Sequence, residues 1–363
     1  MKTRRLSALL FAVLLLLSSC ADKESVRADT SQGAKSEITV AVIRDGELSA
    51  LTGAAEGASR GARDFCNREG LRCLELTASD QSDGAIVSAI RSAISQGASA
   101  IICSGYFMSR AVLVIENEYP DVSFLCIDTM APDDAFDEHL SQNVHFVVPD
   151  YADAGYLAGR VSAKYGGRHA FSAMMRMDTV LDCLSGYVQG ISEGTGGADI
   201  LVSVDAGYGI SGDDDLMTEV ISDLLYERGA DAVAAYGALI YPCSVAANEH
   251  GAKYISIFDT SYDAASRLPS PVFDAAASVS SCLGRLYSGG MKWGARDAGT
   301  CSEEGIAEGT IKLSGDDALF DEITSGVNSG EIRIKRAGTF ENVGADNVNI
   351  IYLTDTEDLY EGS

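Results

Sequence analysis

The most constraining feature of this chain is a regular alternation of strand and helix patterns that begins near Glu37. One strand–helix unit recurs about every 25 residues, and the strands are short apolar runs such as Val122–Ile127. Such strands are typical of a parallel sheet that is covered by helices on both faces. The alternation restarts near Val144, which predicts an α/β fold with two doubly wound, Rossmann-like lobes.

The pattern also predicts how the chain is divided between the lobes. The N-terminal lobe is expected over 37–145, completed by about 262–305, and the C-terminal lobe over 146–261, completed by about 306–356. Because the last segments return to complete both lobes, we expect a hinge of several strands. The returning segments are a helix near Ala275–Tyr287 and strands near Gly309–Leu313 and Asn349–Leu353.

The N-terminus has the pattern of an export signal. Basic residues at 2, 4 and 5 precede an apolar run over Leu9–Leu17, which is too short to cross about 30 Å of hydrocarbon. The small residues before Cys20 resemble a bacterial lipoprotein signal, which implies removal of 1–19 and acylation of Cys20. An ordinary secretory signal with an incidental Cys20 is the alternative. Residues 20–36 read as a flexible tether, so we expect a lipid-anchored, extracytoplasmic protein.

The charge of the chain argues against binding to nucleic acid. It has 27 Lys and Arg against 53 Asp and Glu, a net charge of −26, which repels phosphate backbones. The cysteines and four histidines show no metal-ligand spacing, so we expect no metal and no cofactor. Cys66–Cys73 and Cys282–Cys301 are near in sequence, and either pair is a candidate disulfide in an oxidising compartment. We expect a monomer.

Residues that follow the predicted strands are the candidates for ligand binding. In doubly wound sheets, ligands bind beyond the carboxyl ends of the strands. Carboxylates and aromatic rings at these positions suit a neutral ligand with several hydrogen-bond donors. An aspartate that only caps the next helix is the alternative for each acidic position. The candidates are Asp45, Glu47, Phe107, Asp128, Met177, Asp178, Tyr208, Gly237 and Asp259.

Two motifs suggest other chemistry, but their contexts do not support it. The G-x-G-x-x-G pattern over 207–212 is followed by three aspartates, which would repel a pyrophosphate at a helix N-terminus. The G-x-S-x-G pattern over 190–194 follows a predicted helix rather than a strand, and Gly194 and its neighbours read as a helix stop. We therefore expect no catalytic residue and no enzyme activity.

Several segments resemble the basic membrane protein family of substrate-binding lipoproteins of ABC importers. The resemblance extends from Glu37 to about Ile334, and its most specific part is the central block. It implies a type I periplasmic-binding fold, a nucleoside bound between the lobes and an ABC permease as partner. The segments that carry it are Tyr119-Pro120-Asp121-Val122 through Ile127-Asp128, Ala154-Gly155-Tyr156-Leu157-Ala158-Gly159, Ser104-Gly105-Tyr106-Phe107 and Gly186-Tyr187-x-x-Gly190.

The resemblance assigns roles to four of the candidates. Phe107 takes the place of the aromatic residue beside the base, and Asp128 that of a base-binding aspartate. Gly237 and Asp259 match a glycine and an aspartate on the ribose side.

Other positions depart from the family pattern. Glu47 and Ser49 stand in the first-strand motif, but its Phe and Asn are lost, with Leu51 in place of the Asn. The late binding lysine falls on Phe273 or, one position later, on Asp274. The resemblance thus implies a lipid-anchored binding protein for a nucleoside, preferably a purine nucleoside, and the departures leave open a similar small polar ligand such as another polyol or heterocycle. The alternative is a sensory or surface lipoprotein that uses the same fold without transport.

Overall fold

The computed structural model of the protein describes residues 38–44, 53–105, 108–129, 140–204, 214–259, 262 and 265–353. All of them lie in one unit, Ile38–Ser363. The strands are β1 Thr39–Arg44, β2 Arg72–Thr77, β3 Ala98–Ser104, β4 Ser123–Ile127, β5 Val144–Pro149, β6 Arg168–Ala173, β7 Ala198–Val204, β8 Ala230–Tyr236, β9 Lys253–Ile257, β10 Ser270–Phe273, β11 Thr300–Glu304, β12 Ile311–Ser314 and β13 Val348–Tyr352.

Nine α-helices connect or cover these strands in the described residues. Short 3₁₀ or π turns adjoin α-helices at 116–118, 222–226 and 237–239, and a separate 3₁₀ turn lies at 340–342. The α-helices are α1 Gly53–Glu69, α2 Asp83–Ser95, α3 Met108–Ile115, α4 Tyr151–Tyr165, α5 Asp178–Thr195, α6 Asp214–Ile221, α7 Ile240–Glu249, α8 Ala275–Ser288 and α9 Asp317–Ser329.

The strands build two parallel sheets and one small antiparallel pair. The first sheet has the order β11-β5-β4-β3-β1-β2, and the second has the order β13-β7-β6-β8-β9. All pairings within these two sheets are parallel. The third sheet is β10 paired antiparallel with β12. The apolar strands are buried because helices cover both faces.

Alternate side chains of the strands enter separate cores. In the first sheet, one face packs against α2 and α3 and the other against α1 and α8. In the second sheet, one face packs against α4, α5 and α9 and the other against α6 and α7. This layered architecture confirms the predicted α/β fold with two doubly wound sheets.

The chain passes between the two large sheets three times. The passages follow β5, β9 and β11, and the last two run through the antiparallel pair β10–β12. The predicted lobe boundary at 145 falls within β5, which stays in the first sheet through Pro149. As a division into domains, the predicted scheme remains a prediction.

The sequence patterns missed three elements: β10, β11 and α9. The strand expected at Gly309–Leu313 is Ile311–Ser314, and it pairs with β10 rather than entering a large sheet. The helix stop predicted at Gly194 and its neighbours is confirmed, because α5 ends at Thr195 and Gly196 caps it in a left-handed conformation. The G-x-S-x-G pattern therefore lies inside a helix.

The eight cysteines between Cys66 and Cys301 are free thiols. Cys282 and Cys301 pack on opposite faces of the first sheet, so a disulfide between them does not fit this fold. A hydrogen bond with Cys73, together with burial, raises the pKa of the Cys66 thiol, which places these two side chains in contact.

Candidate functional site

Asp128 follows β4 at the carboxyl end of the first sheet. Its backbone has a φ of 50°, in the left-handed region that residues other than glycine rarely adopt. Its N–H donates to the carbonyl of Val147, 3.1 Å away, which fixes the turn beside β5. The side chain is half-buried, and burial raises the pKa of its carboxyl to about 7. Strained backbone and a shifted pKa in one residue are typical of functional positions.

Four half-buried aromatic rings form a cluster near the carboxyl ends of β5, β8, β9 and β10. Tyr151 begins α4, Tyr236 ends β8, Phe258 follows β9 and Phe273 ends β10. The ring centroid of Tyr151 lies 5.8 Å from that of Tyr236 and 5.4 Å from that of Phe258. The centroids of Phe258 and Phe273 are 6.3 Å apart. We call these four residues the aromatic cluster.

The phenol groups of the aromatic cluster take part in a polar network. Tyr151 hydrogen-bonds Tyr236, and Tyr236 also hydrogen-bonds Thr179 at the start of α5. Burial raises the pKa of both phenols, and the nearby Asp128 carboxylate raises them further. Asp128 thus lies close enough to both tyrosines for their charges to interact. The network joins the edge of the first sheet to the edge of the second.

Four more of the predicted residues lie at this edge of the second sheet. Met177 is the N-cap of α5 and is half-buried, and Asp178 is exposed in its first turn. Gly237 follows Tyr236 and has a φ of 67°, which favours glycine. Asp259 follows Phe258 and is half-buried. The structure therefore brings these residues beside the aromatic cluster.

The structure separates Phe273 from Asp274, between which the sequence could not decide. The Phe273 ring belongs to the aromatic cluster. Asp274 caps α8 by accepting from the Ala277 N–H, and its other oxygen lies 2.6 Å from the Lys312 ammonium. Asp274 is thus already occupied by intramolecular partners, which leaves Phe273 as the residue that faces the site.

Several predicted residues lie outside the described part of the chain. They are the lipid-anchor candidate Cys20 and the binding candidates Asp45, Glu47, Ser49, Phe107 and Tyr208. The glycine-rich motif over 207–212 also lies there.

Sequence reasoning missed Tyr151 and Phe258 as site residues. Tyr151 follows a strand end by two residues, but it reads as the first residue of an amphipathic helix. The apolar pattern predicts Phe258 as the last residue of a strand, whereas β9 ends at Ile257 and Phe258 has a φ of 68°. The available signal for both was their position at the carboxyl end of a strand, where aromatic rings would meet a ligand.

The site can bind a flat or partly apolar molecule that carries hydrogen-bond donors. Half-buried rings provide apolar walls, and the tyrosine hydroxyls provide both donors and acceptors. Asp128 accepts bonds when ionised and can donate one when it is protonated. No group of three or more potential metal ligands occurs among the residues with described positions.

Comparison with known protein families matches residues 38–354 to the family described as ABC transporter substrate-binding protein, PnrA-like. A search of curated protein sequences found no match. Across the described residues, no helix has the length and apolar character needed to span a membrane.

Solved structures share the fold at low sequence identity. An ABC transporter solute-binding protein from Conexibacter woesei is 18% identical, with a TM-score of 0.65 over 82% of this chain and 99% of the other. One from Aeropyrum pernix is 16% identical, with a TM-score of 0.63 over 84% and 95%. A transcriptional activator of the comK gene from Bacillus halodurans is 17% identical, with a TM-score of 0.62 over 83% and 100%. At these identities the likeness shows the periplasmic-binding type I fold alone.

Proposed function

Because the chain belongs to the PnrA-like substrate-binding proteins of ABC transporters, we propose that it binds a nucleoside, preferably a purine nucleoside, and delivers it to an ABC permease. The observation that carries the choice of ligand is the aromatic cluster beside the Asp128 carboxyl. A nucleobase has a flat apolar face that suits the rings and an N–H edge that suits a carboxylate.

In this proposal the two carboxylates contact different parts of the ligand. Asp128 accepts hydrogen bonds from the base, and Phe273 contacts the face of the base. Asp259 accepts from the ribose hydroxyls, beside the small Gly237. The ligand undergoes no chemical reaction, because the family binds and transfers its solutes. Closure of the two sheets on the ligand selects a conformation that the free protein already samples.

We also propose that Cys20 carries the lipid that anchors the protein to the membrane. The support is the basic start, the apolar run over Leu9–Leu17 and the small residues before Cys20. Growth with a radiolabelled fatty acid tests it, because label should enter the wild-type protein and should be absent from Cys20→Ser. Equal labelling of both chains would place the lipid elsewhere.

Thermal unfolding of the full-length chain in detergent tests the ligand class. We would compare purine nucleosides, pyrimidine nucleosides, free bases, pentoses and hexoses. A ligand at 100 times its Kd should stabilise the protein by about 2.7 kcal/mol, which is a measurable rise in Tm. A rise with nucleosides supports the proposal, whereas a rise with sugars alone would overturn it.

A variant pair tests the site itself. Asp259→Asn should weaken nucleoside binding by about 1–3 kcal/mol in calorimetry, because a ribose hydroxyl would lose its charged partner. Asp121→Asn is the matched control, since the Asp121 side chain is 91% exposed and lies away from the strand ends at the site. Unchanged affinity in Asp259→Asn would remove Asp259 from the site.

A sensory function without transport is the second candidate. The comK activator from Bacillus halodurans has a similar fold, and the first-strand motif of this chain departs from the family pattern at Glu47 and Leu51. Uptake of a labelled nucleoside by cells with and without the gene separates the two. Loss of uptake without the gene supports transport, and unchanged uptake with intact binding supports sensing.

A further inference from the structure

The segment that follows α9 lies along the surface of α5. The Lys335 N–H donates to Gln189 Oε1, and the Gln189 amide donates to the Arg333 carbonyl. The donor–acceptor distance is 2.9 Å in both bonds. One turn earlier on α5, Ser185 Oγ accepts a hydrogen bond from the Ala337 N–H at a distance of 2.9 Å. These bonds fix residues 333–337 to a helix of the second sheet.

The Arg336 guanidinium extends from this segment to the first sheet. Its Nη1 lies 2.8 Å from Glu303 Oε1 on β11, and its Nη2 lies 2.7 Å from Asp150 Oδ2. Its Nη1 also lies 3.5 Å from Asp182 Oδ2 on α5. One side chain therefore contacts β11, the junction between β5 and α4, and a helix of the second sheet.

These contacts surround two of the three passages between the sheets. Asp150 is the N-cap of α4, and its N–H donates to the Glu304 carbonyl at a distance of 2.9 Å. The first passage therefore lies directly beside the third, which begins after Glu304. The nearby Asp153 carboxylate accepts a hydrogen bond from the Ile306 N–H at a distance of 2.8 Å and so joins α4 to the third passage.

Around Arg336, carboxylates outnumber basic side chains. Within the part of the chain that the structure describes, Arg336 is the only basic residue that forms an ion pair with Asp150, Asp182 or Glu303. Burial raises the pKa of Asp153 and of Asp182 to about 6 in each case, although Arg336 opposes both shifts. The hydrogen bond to Glu303 is the main cause that raises the pKa of Arg336 itself. Without the guanidinium, several carboxylates would face one another across the passages.

We propose that Arg336 is a positioning residue that joins the two sheets at their hinge and thereby sets how readily they separate. The inference applies to solute binding by this family in general and does not depend on the ligand being a nucleoside. Its physical basis is that ion pairs formed in only one arrangement of the sheets favour that arrangement.

Hydrogen–deuterium exchange of the full-length chain in detergent, without any solute, tests the proposal. In Arg336→Gln, the amides of Asp150, Gly305 and Ile306 should exchange about fivefold faster, because opening costs less where carboxylates repel. Arg91→Gln is the matched control, since Arg91 also makes two bonds to a carboxylate, that of Glu118, far from the passages. Its exchange at the three amides should equal that of the wild type.

A second variant keeps the test decisive if Arg336→Gln does not fold. Glu303→Gln removes only the contact with the first sheet and leaves Asp150 and Asp182 as partners, so a smaller increase at the same amides is expected. Faster exchange confined to residues 331–343 would show that Arg336 fixes only its own segment and would overturn the proposal. Because no solute is present, this result is independent of the nucleoside assay.

Discussion

At the scale of single residues, Asp128 combines an unfavourable backbone conformation with an unfavourable charge. A φ of 50° in a residue other than glycine and a carboxyl pKa raised to about 7 both reduce the stability of the folded state. Asp128 lies beside Tyr151 and Tyr236, where a ligand that donates hydrogen bonds would offset the cost of the charge. In the proposed function, Asp128 therefore exchanges stability of the free protein for affinity toward the ligand.

Asp128→Asn should stabilise the ligand-free protein at neutral and higher pH. The folded carboxyl has a pKa of about 7, above the unfolded value of about 3.9, so the folded state binds its proton more tightly. In the wild type, the stabilisation that comes from this bound proton is lost as the pH rises from about 4 to about 7. The variant has no such group, so its stability does not fall in this way. The two pKa values differ by about three units, so we expect the variant to be up to about 4 kcal/mol more stable than the wild type near pH 8.

Urea unfolding across this pH range measures the difference between the two chains. The advantage of Asp128→Asn should grow as the pH rises and should vanish near pH 4. A pH-independent difference would mean that Asp128 does not titrate in this range. The same variant should weaken nucleoside binding, which separates its two roles.

The sequence pointed to Asp128 through a correctly predicted strand end, and to Phe273, on the missed strand β10, only through the family pattern. Asp128 and Phe273 could be found because an apolar strand precedes the first and a family pattern aligns with the second. Phe258 could not, because a phenylalanine that follows an apolar strand reads as part of that strand. Its left-handed φ of 68° is a product of tertiary context, the bond from its N–H to the Pro271 carbonyl.

At the scale of elements, close packing of α4 on α5 explains the glycines in two of the four family segments, 154–159 and 186–190. A methyl group on Gly155 would overlap the Cys183 carbonyl, and one on Gly186 would overlap the Ala152 carbonyl. Gly159 and Gly190 meet in the same way, with Tyr156 and Tyr187 buried around them. These two family segments, 154–159 and 186–190, therefore specify a helix interface, whereas the proposed ligand contact Asp128 belongs to another family segment.

Gly155→Ala should destabilise the protein by about 1–3 kcal/mol, since the two helix backbones would have to separate. Gly84→Ala in α2 is the matched control, because no atom lies within 4 Å of the added methyl group. The control should be neutral or slightly stabilising, as alanine is the better helix former. Equal urea midpoints for the two variants would contradict the close-packing explanation.

At the scale of the whole molecule, the sequence predicted the two parallel sheets and the last strand of the second sheet, but it missed β11, which completes the first sheet. Strands in the middle of the first sheet, such as β3 and β4, are mostly apolar and carry serine as their only polar residue. β11 has the sequence Thr-Cys-Ser-Glu-Glu because it is an edge strand with partly exposed residues. Such a strand has no apolar signature, and its pairing with β5 depends on a contact about 150 residues away in the chain.

Whole-molecule charge gives the last prediction, the effect of salt on stability. The chain has 53 acidic and 27 basic residues, so repulsion acts over the whole surface and disfavours the compact state. The described ion pairs are contacts of 4 Å or less, such as Arg336 with Glu303, and salt screens them less than it screens distant charges. Raising KCl from about 0.01 M to about 0.5 M shortens the screening length from about 30 Å to a few Å.

We therefore expect KCl to raise the stability of the full-length chain, by about 1 kcal/mol in urea unfolding near neutral pH. Chloride is preferred to sulfate, because sulfate also strengthens apolar burial by exclusion from the surface. Arg336→Gln should gain more from salt than the wild type, since it adds unpaired carboxylates at the passages between the sheets. A fall in stability with KCl would instead mean that local ion pairs outweigh the repulsion among the excess carboxylates.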